Sequence, residues 1–179
     1  MLITNAKKEK RAEFWDDKES EFIALQEDDL KNQTDEMIPQ PAHEPGSLGS
    51  LLPGIEGFFT PSGLESSIFR HLHFNTDEHI LRSKEDLAAL DIIAEYLNSH
   101  PNVFVFIEGH CDERGAEAYN LSLGTRRSNA VRAQLVKRGV DPDRLHTISY
   151  GKERPFILGH GNEFWAKNRR AEFKLYKKP

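Results

Sequence analysis

The stretch from Val103 to Arg127, VFVFIEGHCDERGAEAYNLSLGTRR, decides the fold of this chain. It begins with five consecutive apolar residues, which is typical of a strand that is buried on both faces between helices, and we expect this strand to end at Gly109. A polar turn follows, and apolar residues at helical spacing then predict a helix from about Tyr119 to Arg138. The stretch therefore places a carboxylate, Asp112, at the exit of a strand and a guanidinium, Arg127, on the following helix.

The residues before this stretch predict a first strand and a first helix. Apolar side chains recur at alternate positions from Ile68 to Phe74, with an interruption at Arg70, as in a strand. Ser83 followed three residues later by Asp86 is similar to a capping box, and apolar residues at helical spacing come after it. We expect this helix to end near His100, because the proline that follows disfavours helical backbone at the preceding residue.

The residues after the stretch predict two further strands, Leu145–Tyr150 and Arg170–Tyr176, separated by a long loop from Gly151 to Asn168. The order of elements is therefore β-α-β-α-β-β. We expect an α+β fold, a two-layer α/β sandwich whose mixed four-stranded sheet carries the helices on one face. Residues 66–179 are assigned to this domain.

Residues 1–65 are predicted to form a mobile tail or linker that is acidic and rich in proline and glycine. The segment Lys7–Glu36 holds eleven acidic and six basic residues, which accounts for the whole formal net charge of −5. The other residues are balanced in charge, whereas a nucleic-acid-binding surface normally shows a basic excess. We therefore expect no nucleic-acid partner.

Length and composition describe one domain without a membrane span. A chain of 179 residues has room for one domain with a good core, and it contains no run of about 18 apolar residues. The single cysteine, Cys111, cannot form an internal disulfide, so cysteine usage does not decide the cellular compartment.

Polar side chains follow the first two predicted strands. Asn75, Thr76 and Asp77 come after the first strand, and His110–Arg114 come after the second. If these two strands are parallel neighbours, both groups lie at one edge of the sheet, which is where open α/β sheets bind ligands. This edge is the predicted binding site.

A ligand that carries both an ammonium and a carboxylate suits this edge. Asp112 can accept hydrogen bonds from the ammonium, and the planar guanidinium of Arg127 matches the carboxylate. Arg126 is adjacent to Arg127 and therefore points to a different face of the helix. The alternative is structural: Asp112 caps the turn, and Arg127 forms a salt bridge on an exposed helix. Spacing alone does not decide between the two.

Five motifs, in order, give the region from about Ile68 to Lys177 a resemblance to a known family. They are GHCDERG at 109–115, YNLSLGTRRSNAV at 119–131, SYGKERP at 149–155, LGH at 158–160 and KNRRA at 167–171. The region resembles the OmpA C-terminal-like peptidoglycan-binding domain family, and within it the peptidoglycan-associated lipoproteins (Pal). Two departures are Cys111, where relatives usually have a small or hydroxyl residue, and Asn75, where they often have an aspartate.

The resemblance implies non-covalent, non-catalytic binding of peptidoglycan through the diaminopimelate residue of its stem peptide. It implies that the native protein is lipid-anchored at the periplasmic face of the outer membrane and works with periplasmic Tol proteins, including a TolB-like one, in a Tol-Pal-type system linked to cell division. The lipidated cysteine of such proteins lies near the amino terminus, whereas Cys111 lies inside the domain, so we expect the anchor to be outside this chain. Asp112 and Arg127 are the implied main contacts. The full implied set is Asn75, Thr76, Asp77, Gly109, His110, Asp112, Arg114, Leu123 and Arg127.

Four alternatives use other chemistry. His110–Glu113 are all metal-capable, yet four consecutive residues cannot easily converge on one ion, so we expect no metal site and no cofactor. A nucleophilic thiol at Cys111 requires an orienting group and an activated thiolate.

A peptidoglycan hydrolase requires a zinc triad, a Cys-His pair or two separated carboxylates, and the adjacent Asp112 and Glu113 cannot flank a glycosidic bond. We therefore expect no enzyme and no catalytic residues. A protein-interaction module of the envelope without wall binding is the last alternative.

Overall fold

The computed structural model describes Pro41, residues 44–48 and residues 50–179. The acidic segment Lys7–Glu36 and most of the predicted tail lie outside the described residues. None of the described helices is long and apolar enough to cross a membrane. The helices are α1 (Leu64–Ile68), α2 (Lys84–Ser99), α3 (Glu117–Lys137) and α4 (Asn162–Asn168), and the strands are β1 (Leu72–His73), β2 (Val103–His110), β3 (Leu145–Gly151) and β4 (Arg170–Lys177).

The four strands form one mixed sheet in the order β1-β4-β2-β3. Strands β2 and β3 are parallel, whereas β4 runs antiparallel to both of its neighbours, β1 and β2. The two long helices, α2 and α3, share one hydrophobic core with one face of this sheet. The predicted fold class, an α+β sandwich with a mixed four-stranded sheet, is confirmed.

The first strand is much shorter than predicted. Only Leu72 and His73 pair with β4, and Ile68 ends a helical turn instead of starting a strand. That turn is fastened from outside, because Glu65 accepts a hydrogen bond from the hydroxyl of Tyr96 (2.7 Å) and pairs with Lys177 (2.7 Å). Tertiary contacts have overridden a weak alternating pattern.

The predicted neighbour relation of the first two strands is also wrong, because β4 lies between β1 and β2. Each of them is antiparallel to β4, so β1 and β2 run in the same direction. Their carboxyl ends therefore still meet at one edge of the sheet. The predicted edge is correct although the predicted adjacency is not.

The helix boundaries follow their capping signals. The hydroxyl of Ser83 accepts a hydrogen bond from the backbone N–H of Asp86 (3.3 Å), and α2 ends at Ser99 with His100 as its cap. Helix α3 begins two residues before the predicted Tyr119 and ends one residue before Arg138. The predicted long loop before β4 contains the seven-residue helix α4.

Alternation along β2 divides its side chains between two environments. Val103, Val105 and Ile107 point to the helices and are almost completely buried in the core. Burial of one such side chain stabilises the fold by roughly 1.5–3 kcal/mol. The core partners from the long helices are Ala89, Leu90, Ile93, Ala94, Leu97, Val131 and Leu135.

The opposite face of the sheet is covered in part by the chain that precedes α1. Phe58 is buried there, and its ring lies 4.7 Å from that of Phe106 and 5.5 Å from that of Tyr176. Phe59 exchanges backbone hydrogen bonds with Leu175 of β4 (2.8 and 2.9 Å). Residues before position 66, the predicted start of the domain, thus pack on the sheet.

Strand β2 and helix α3 touch backbone to backbone. A Cβ atom added to Gly109 would lie 1.9 Å from the carbonyl oxygen of Gly124, a distance that no side chain can adopt. One added to Gly124 would lie 2.2 Å from the hydroxyl of Ser149 on β3. The two glycines therefore let the first half of α3 lie directly on the carboxyl ends of the parallel strands. This contact sets the height of the helix above the predicted edge.

Candidate ligand-binding site

A cavity of about 300 Å³ opens at the carboxyl edge of the sheet, between the chain after β1, the turn after β2 and the start of α3. We call it the carboxyl-edge cavity. Asp112 and Arg127 both line it, so the structure brings the two principal predicted residues together. Its lining residues are Thr76, Asp77, Cys111, Asp112, Arg114, Gly115, Tyr119, Asn120, Leu123, Arg127 and Arg169.

Asp112 is buried and is held by two arginines. One carboxylate oxygen accepts hydrogen bonds from the backbone N–H (3.1 Å) and Nε (3.0 Å) of Arg114, and the other from Arg114 Nη2 (2.7 Å) and Arg169 Nη1 (3.3 Å). Burial alone would raise the pKa of Asp112, but these hydrogen bonds hold it below its ordinary value. Asp112 thus fastens its own turn and also carries a charge beside the cavity.

Arg127 is completely buried and donates to backbone carbonyls of the loop after β1 and of the last residue of β2. Its Nε donates to Glu78 O (2.9 Å), Nη1 to His110 O (2.8 Å) and Nη2 to Asn75 O (3.0 Å), and Nη1 also contacts Cys111 Sγ (3.4 Å). Burial lowers the pKa of its guanidinium. The alternative that places Arg127 in a salt bridge on an exposed helix is therefore wrong.

Six of the nine predicted site residues line the cavity and three do not. The side chain of His110 is buried away from the cavity, and Gly109 serves the close contact with α3. Asn75 bonds to Glu78 through its side chain (3.1 Å) and offers only its carbonyl to Arg127. These three residues position the site without lining it. The six that line it are Thr76, Asp77, Asp112, Arg114, Leu123 and Arg127.

The wall that follows β1 is built from Thr76 and Asp77. Asp77 adopts a φ of 57°, a left-handed backbone conformation that aspartate tolerates better than most residues. Its carboxylate accepts a hydrogen bond from the hydroxyl of Tyr119 (3.4 Å), and Arg114 Nη2 donates to the hydroxyl of Thr76 (3.3 Å). Side chains from three elements therefore meet across the cavity mouth.

Arg169 is the main site residue that the sequence analysis did not select. It precedes β4, and it donates from Nε to Phe74 O (3.0 Å) as well as from Nη1 to Asp112. It lies within the KNRRA motif, which the sequence analysis quoted as a whole. Only the position of β4 beside β1 shows that the first of its two arginines reaches the cavity.

A second polar group lies on the outer rim of the cavity. One oxygen of Glu113 accepts hydrogen bonds from His160 Nδ1 (2.7 Å) and Trp165 Nε1 (2.8 Å), and the guanidinium of Arg114 lies 4.2 Å from the centre of the Trp165 ring. These two bonds lower the pKa of Glu113, and Glu113 in turn raises the pKa of His160. The Trp165 ring thus packs against the guanidinium of Arg114.

The ionisable groups around the cavity carry more positive than negative charge. Arg114, Arg127 and Arg169 face the carboxylates of Asp77 and Asp112, which leaves one positive charge in excess. Such a set suits a ligand that brings an ammonium to a carboxylate and one or more carboxylates to the arginines. Burial raises the pKa of the Cys111 thiol, so the cavity does not contain an activated thiolate.

A family model described as the OmpA family matches residues 73–169, which contain the turn, the helix and most of the cavity wall. The chain belongs to the OmpA family. The resemblance seen in the sequence motifs is thereby confirmed, as is the expectation of a protein that is not an enzyme.

The relatives within the OmpA family carry a consistent name. The peptidoglycan-associated lipoprotein of Rhizobium meliloti (strain 1021) is 42% identical over 123 residues, which are 69% of this chain and 66% of that protein. The chain therefore spans about two thirds of that relative's length. The crystal structure of the peptidoglycan-associated lipoprotein from Burkholderia pseudomallei is 40% identical, with a TM-score of 0.58 over 60% of this chain and 90% of that one.

A more distant structural neighbour shares the fold alone. The C-terminal domain of Helicobacter pylori MotB has a TM-score of 0.56 at 22% identity, over 61% of this chain and 85% of that one. The backbone arrangement thus persists where most side chains differ. The identity of the ligand therefore has to be inferred from the residues of the cavity, because the fold alone does not determine it.

Proposed function

We propose that this chain binds peptidoglycan non-covalently by holding the diaminopimelate residue of a stem peptide in the carboxyl-edge cavity. The observation that carries the proposal is that Asp112 and Arg127 line one cavity, at the strand edge where the sequence predicted a zwitterion site. The names of the relatives, which are peptidoglycan-associated lipoproteins, support the choice of polymer.

The free end of diaminopimelate carries one ammonium and one carboxylate, and each has a partner in the cavity. The ammonium donates hydrogen bonds to Asp112 and displaces part of the hydrogen bonding from Arg114, whose side chain is 41% exposed. The carboxylate lies against the arginines. A guanidinium has five N–H groups, and in Arg127 four of them already donate to protein acceptors. The fifth N–H group is the one that remains for the ligand carboxylate.

This exchange predicts modest affinity for a single stem peptide. The bonds from Arg114 and Arg169 to Asp112 already exist without ligand, so binding replaces hydrogen bonds and adds few new ones. Firm attachment to a polymer that presents many stem peptides then follows from avidity. Such an anchor holds an envelope layer while its single contacts open and close.

The cellular setting belongs to the same proposal. We expect the native protein to be lipid-anchored at the periplasmic face of the outer membrane and to work with Tol proteins, including a TolB-like one. The names of the relatives support a lipoprotein associated with peptidoglycan. A pull-down of the folded chain on purified sacculi, with and without a periplasmic extract, tests the wall contact and the partner separately.

The decisive experiment titrates a diaminopimelate-containing muropeptide into the protein by calorimetry or NMR, with a lysine-containing muropeptide as the chemical control. We expect saturable binding of the first only, because lysine lacks the terminal carboxylate. Asp112→Asn keeps the shape of the side chain and removes its charge, and we expect at least tenfold weaker binding.

Two arginine variants complete this experiment. Arg127→Ala should abolish binding, and circular dichroism must show that the domain is still folded at the temperature used. Arg126→Ala is the matched control, because Arg126 is exposed and adjacent in sequence, and its affinity should be unchanged. Equal losses from both arginine changes, or no binding by the folded wild type, would contradict the proposal and favour a protein-interaction module.

A further inference from the structure

Two acidic side chains lie directly opposite each other on the sheet face that is turned away from the long helices. Glu108 of β2 and Glu172 of β4 are partners in the strand register. The side chain of Glu108 is 4% exposed and that of Glu172 is 18% exposed. Like charges in directly opposed cross-strand positions repel each other, and weak solvation increases that cost. Something must compensate this pair.

His110 lies on the same face two residues after Glu108, and its ring nitrogens lack hydrogen bonds. The side chain is 2% exposed, and neither Nδ1 nor Nε2 has a hydrogen-bond partner among the described residues. Nε2 is 3.7 Å from the nearer oxygen of Glu108, beyond hydrogen-bonding distance. In a buried histidine at least one ring nitrogen normally forms a hydrogen bond. Both nitrogens of His110 lack one within the described part of the chain, so the ring is fixed in position with its nitrogens available to a ligand.

The surrounding charges compensate only one of the two carboxylates. Arg170 donates from Nε to one oxygen of Glu172 (2.6 Å), and its other nitrogens donate to the carbonyls of Asn168 (3.2 Å) and Arg154 (3.1 Å). Arg170, Glu108 and Glu172 together therefore carry a formal charge of −1 when the imidazoles are neutral. The ring of Tyr150, 5.6 Å from that of His110, covers the imidazole.

We propose that Glu108, His110 and Glu172 form a binding site for a divalent transition metal, with Zn²⁺ as the best-fitting ion. One donor atom from each residue lies within 4.8 Å of the others. Zinc binds imidazole nitrogen and carboxylate oxygen at about 2.0–2.2 Å, so small side-chain rotations bring the three donors onto one ion. The ion satisfies the imidazole and removes the repulsion between the two carboxylates.

His71 is the candidate for the fourth position. Its Nε2 lies 3.5 Å from the Glu172 oxygen that Arg170 also contacts, and its side chain is 32% exposed. The open side of the cluster is therefore next to His71, which gives an ion a path from solvent. A set of two imidazoles and two carboxylates is a recognised tetrahedral zinc environment, and water can replace His71.

The sheet order explains why the sequence did not indicate this site. His110–Glu113 are consecutive, and four consecutive residues cannot easily converge on one ion. The ligands proposed now come from β2 and β4, which are more than 60 positions apart in the chain and adjacent in the sheet. The site is separate from the carboxyl-edge cavity, although the carbonyl of His110 supports Arg127.

The test is a zinc titration of the full, tag-free chain after treatment with a chelator. We expect one equivalent of Zn²⁺ in isothermal calorimetry, and one equivalent of Co²⁺ with the visible absorption of a tetrahedral site. Glu108→Gln and Glu172→Gln preserve the shape of the side chains, and each should weaken zinc binding at least tenfold. Glu113→Gln is the matched control, because Glu113 also pairs with a histidine but lies on the rim, and its variant should bind like the wild type.

A second measurement keeps the proposal testable if a variant folds poorly. In ¹⁵N NMR of the wild type, zinc should shift one ring nitrogen of His110 and raise the melting temperature. The proposal is overturned by a folded wild type that shows no saturable 1:1 binding, or by binding that both glutamine variants retain. It is equally overturned if the His110 nitrogens do not respond to zinc, since the ion would then bind elsewhere in the chain.

Discussion

At the amino ends of β2 and β3, Arg144 donates to the carbonyls of Leu97 (3.0 Å), His100 (2.9 Å) and Val103 (3.2 Å). At the carboxyl end of β2, Arg127 does the same for three carbonyls, two in the loop after β1 and one at the last residue of β2. Both guanidiniums are buried, and both fasten backbone segments that are distant in sequence from the arginine. The amino edge and the carboxyl edge of the parallel strands are therefore both stabilised by a buried arginine that donates to three backbone carbonyls.

The two edges differ in what surrounds the arginine. Arg144 closes the end of α2, where the carbonyls of a helix carry partial negative charge. Arg127 lies beside a carboxylate, Asp112, and at the wall of a cavity of about 300 Å³. A buried arginine alone is thus a structural element, and the neighbouring carboxylate and cavity are what make Arg127 the proposed binding group.

The largest expected effect separates stability from binding at the amino edge. Arg144→Met keeps the apolar stem and removes the hydrogen bonds that the buried guanidinium donates to three carbonyls, so we expect the free energy of unfolding to fall by roughly 4 kcal/mol. Urea unfolding measures this loss. Muropeptide affinity of the folded fraction should stay within twofold of the wild type, and a tenfold loss would contradict the separation of the two edges.

The second prediction concerns the contact that places α3 over the carboxyl edge. Gly109→Ala puts a methyl group into the carbonyl of Gly124, so the helix must move, at a cost of about 3 kcal/mol. Muropeptide binding should weaken at the same time, although Gly109 does not line the cavity. Gly63→Ala is the control for binding, because its Cβ would meet nothing within 4 Å and only its backbone, at φ 56° and ψ −128°, is strained, which costs about 1–3 kcal/mol of stability.

The third prediction uses pH at the amino edge. Burial, reinforced by the nearby charge of Arg132, lowers the pKa of His146 to about 4. Since the unfolded chain binds this proton near pH 6.5 and the folded one near pH 4, stability is complete above the first value and is lost as the pH falls through this window. The total loss is roughly 3 kcal/mol at most.

Urea unfolding at a series of pH values between 7 and 4 measures this dependence. His146→Gln removes the titrating group, and the slope of stability against pH in this window should become shallower by up to one proton. An unchanged slope in the variant would show that His146 titrates normally in the folded protein.

The smallest expected effect concerns Cys111, a buried residue that lines the carboxyl-edge cavity. Cys111→Ser replaces a thiol that donates to Asn120 O (3.3 Å) and contacts Arg127 by a hydroxyl of similar shape, so stability should change by less than about 1 kcal/mol. Because the thiol is buried and its pKa is raised, the wild type should react with a thiol reagent only as fast as it unfolds locally. Rapid labelling of the native protein would contradict the burial of the Cys111 thiol.

The parts of the fold that depend on local pattern were predictable. The apolar run of β2, the capping pair Ser83 and Asp86 and the periodicity of α3 all gave elements within one or two residues of those observed. Strand β1 was not predictable in length, because its extent depends on pairing with β4, a strand almost 100 residues later. Local sequence carries no information about that partner.

The site followed the same division. Asp112 and Arg127 were selected because a strand exit and the helix after it are close in sequence, so their meeting at one edge follows from a single crossover. Arg169 and the cluster of Glu108, His110 and Glu172 depend on the position of β4 between β1 and β2. Side chains that meet across sheet neighbours become visible only when the strand order is known.

The bonds of Arg127 have a consequence for how this binding site can diverge. Every oxygen that holds its guanidinium belongs to the main chain, at Asn75, Glu78 and His110, so the side chains of those residues can be exchanged without releasing the arginine. The cavity walls at Thr76 and Asp77 come from the same loop. Substitutions at Thr76 and Asp77 can therefore change which ligand the cavity accepts while the guanidinium of Arg127 keeps its position.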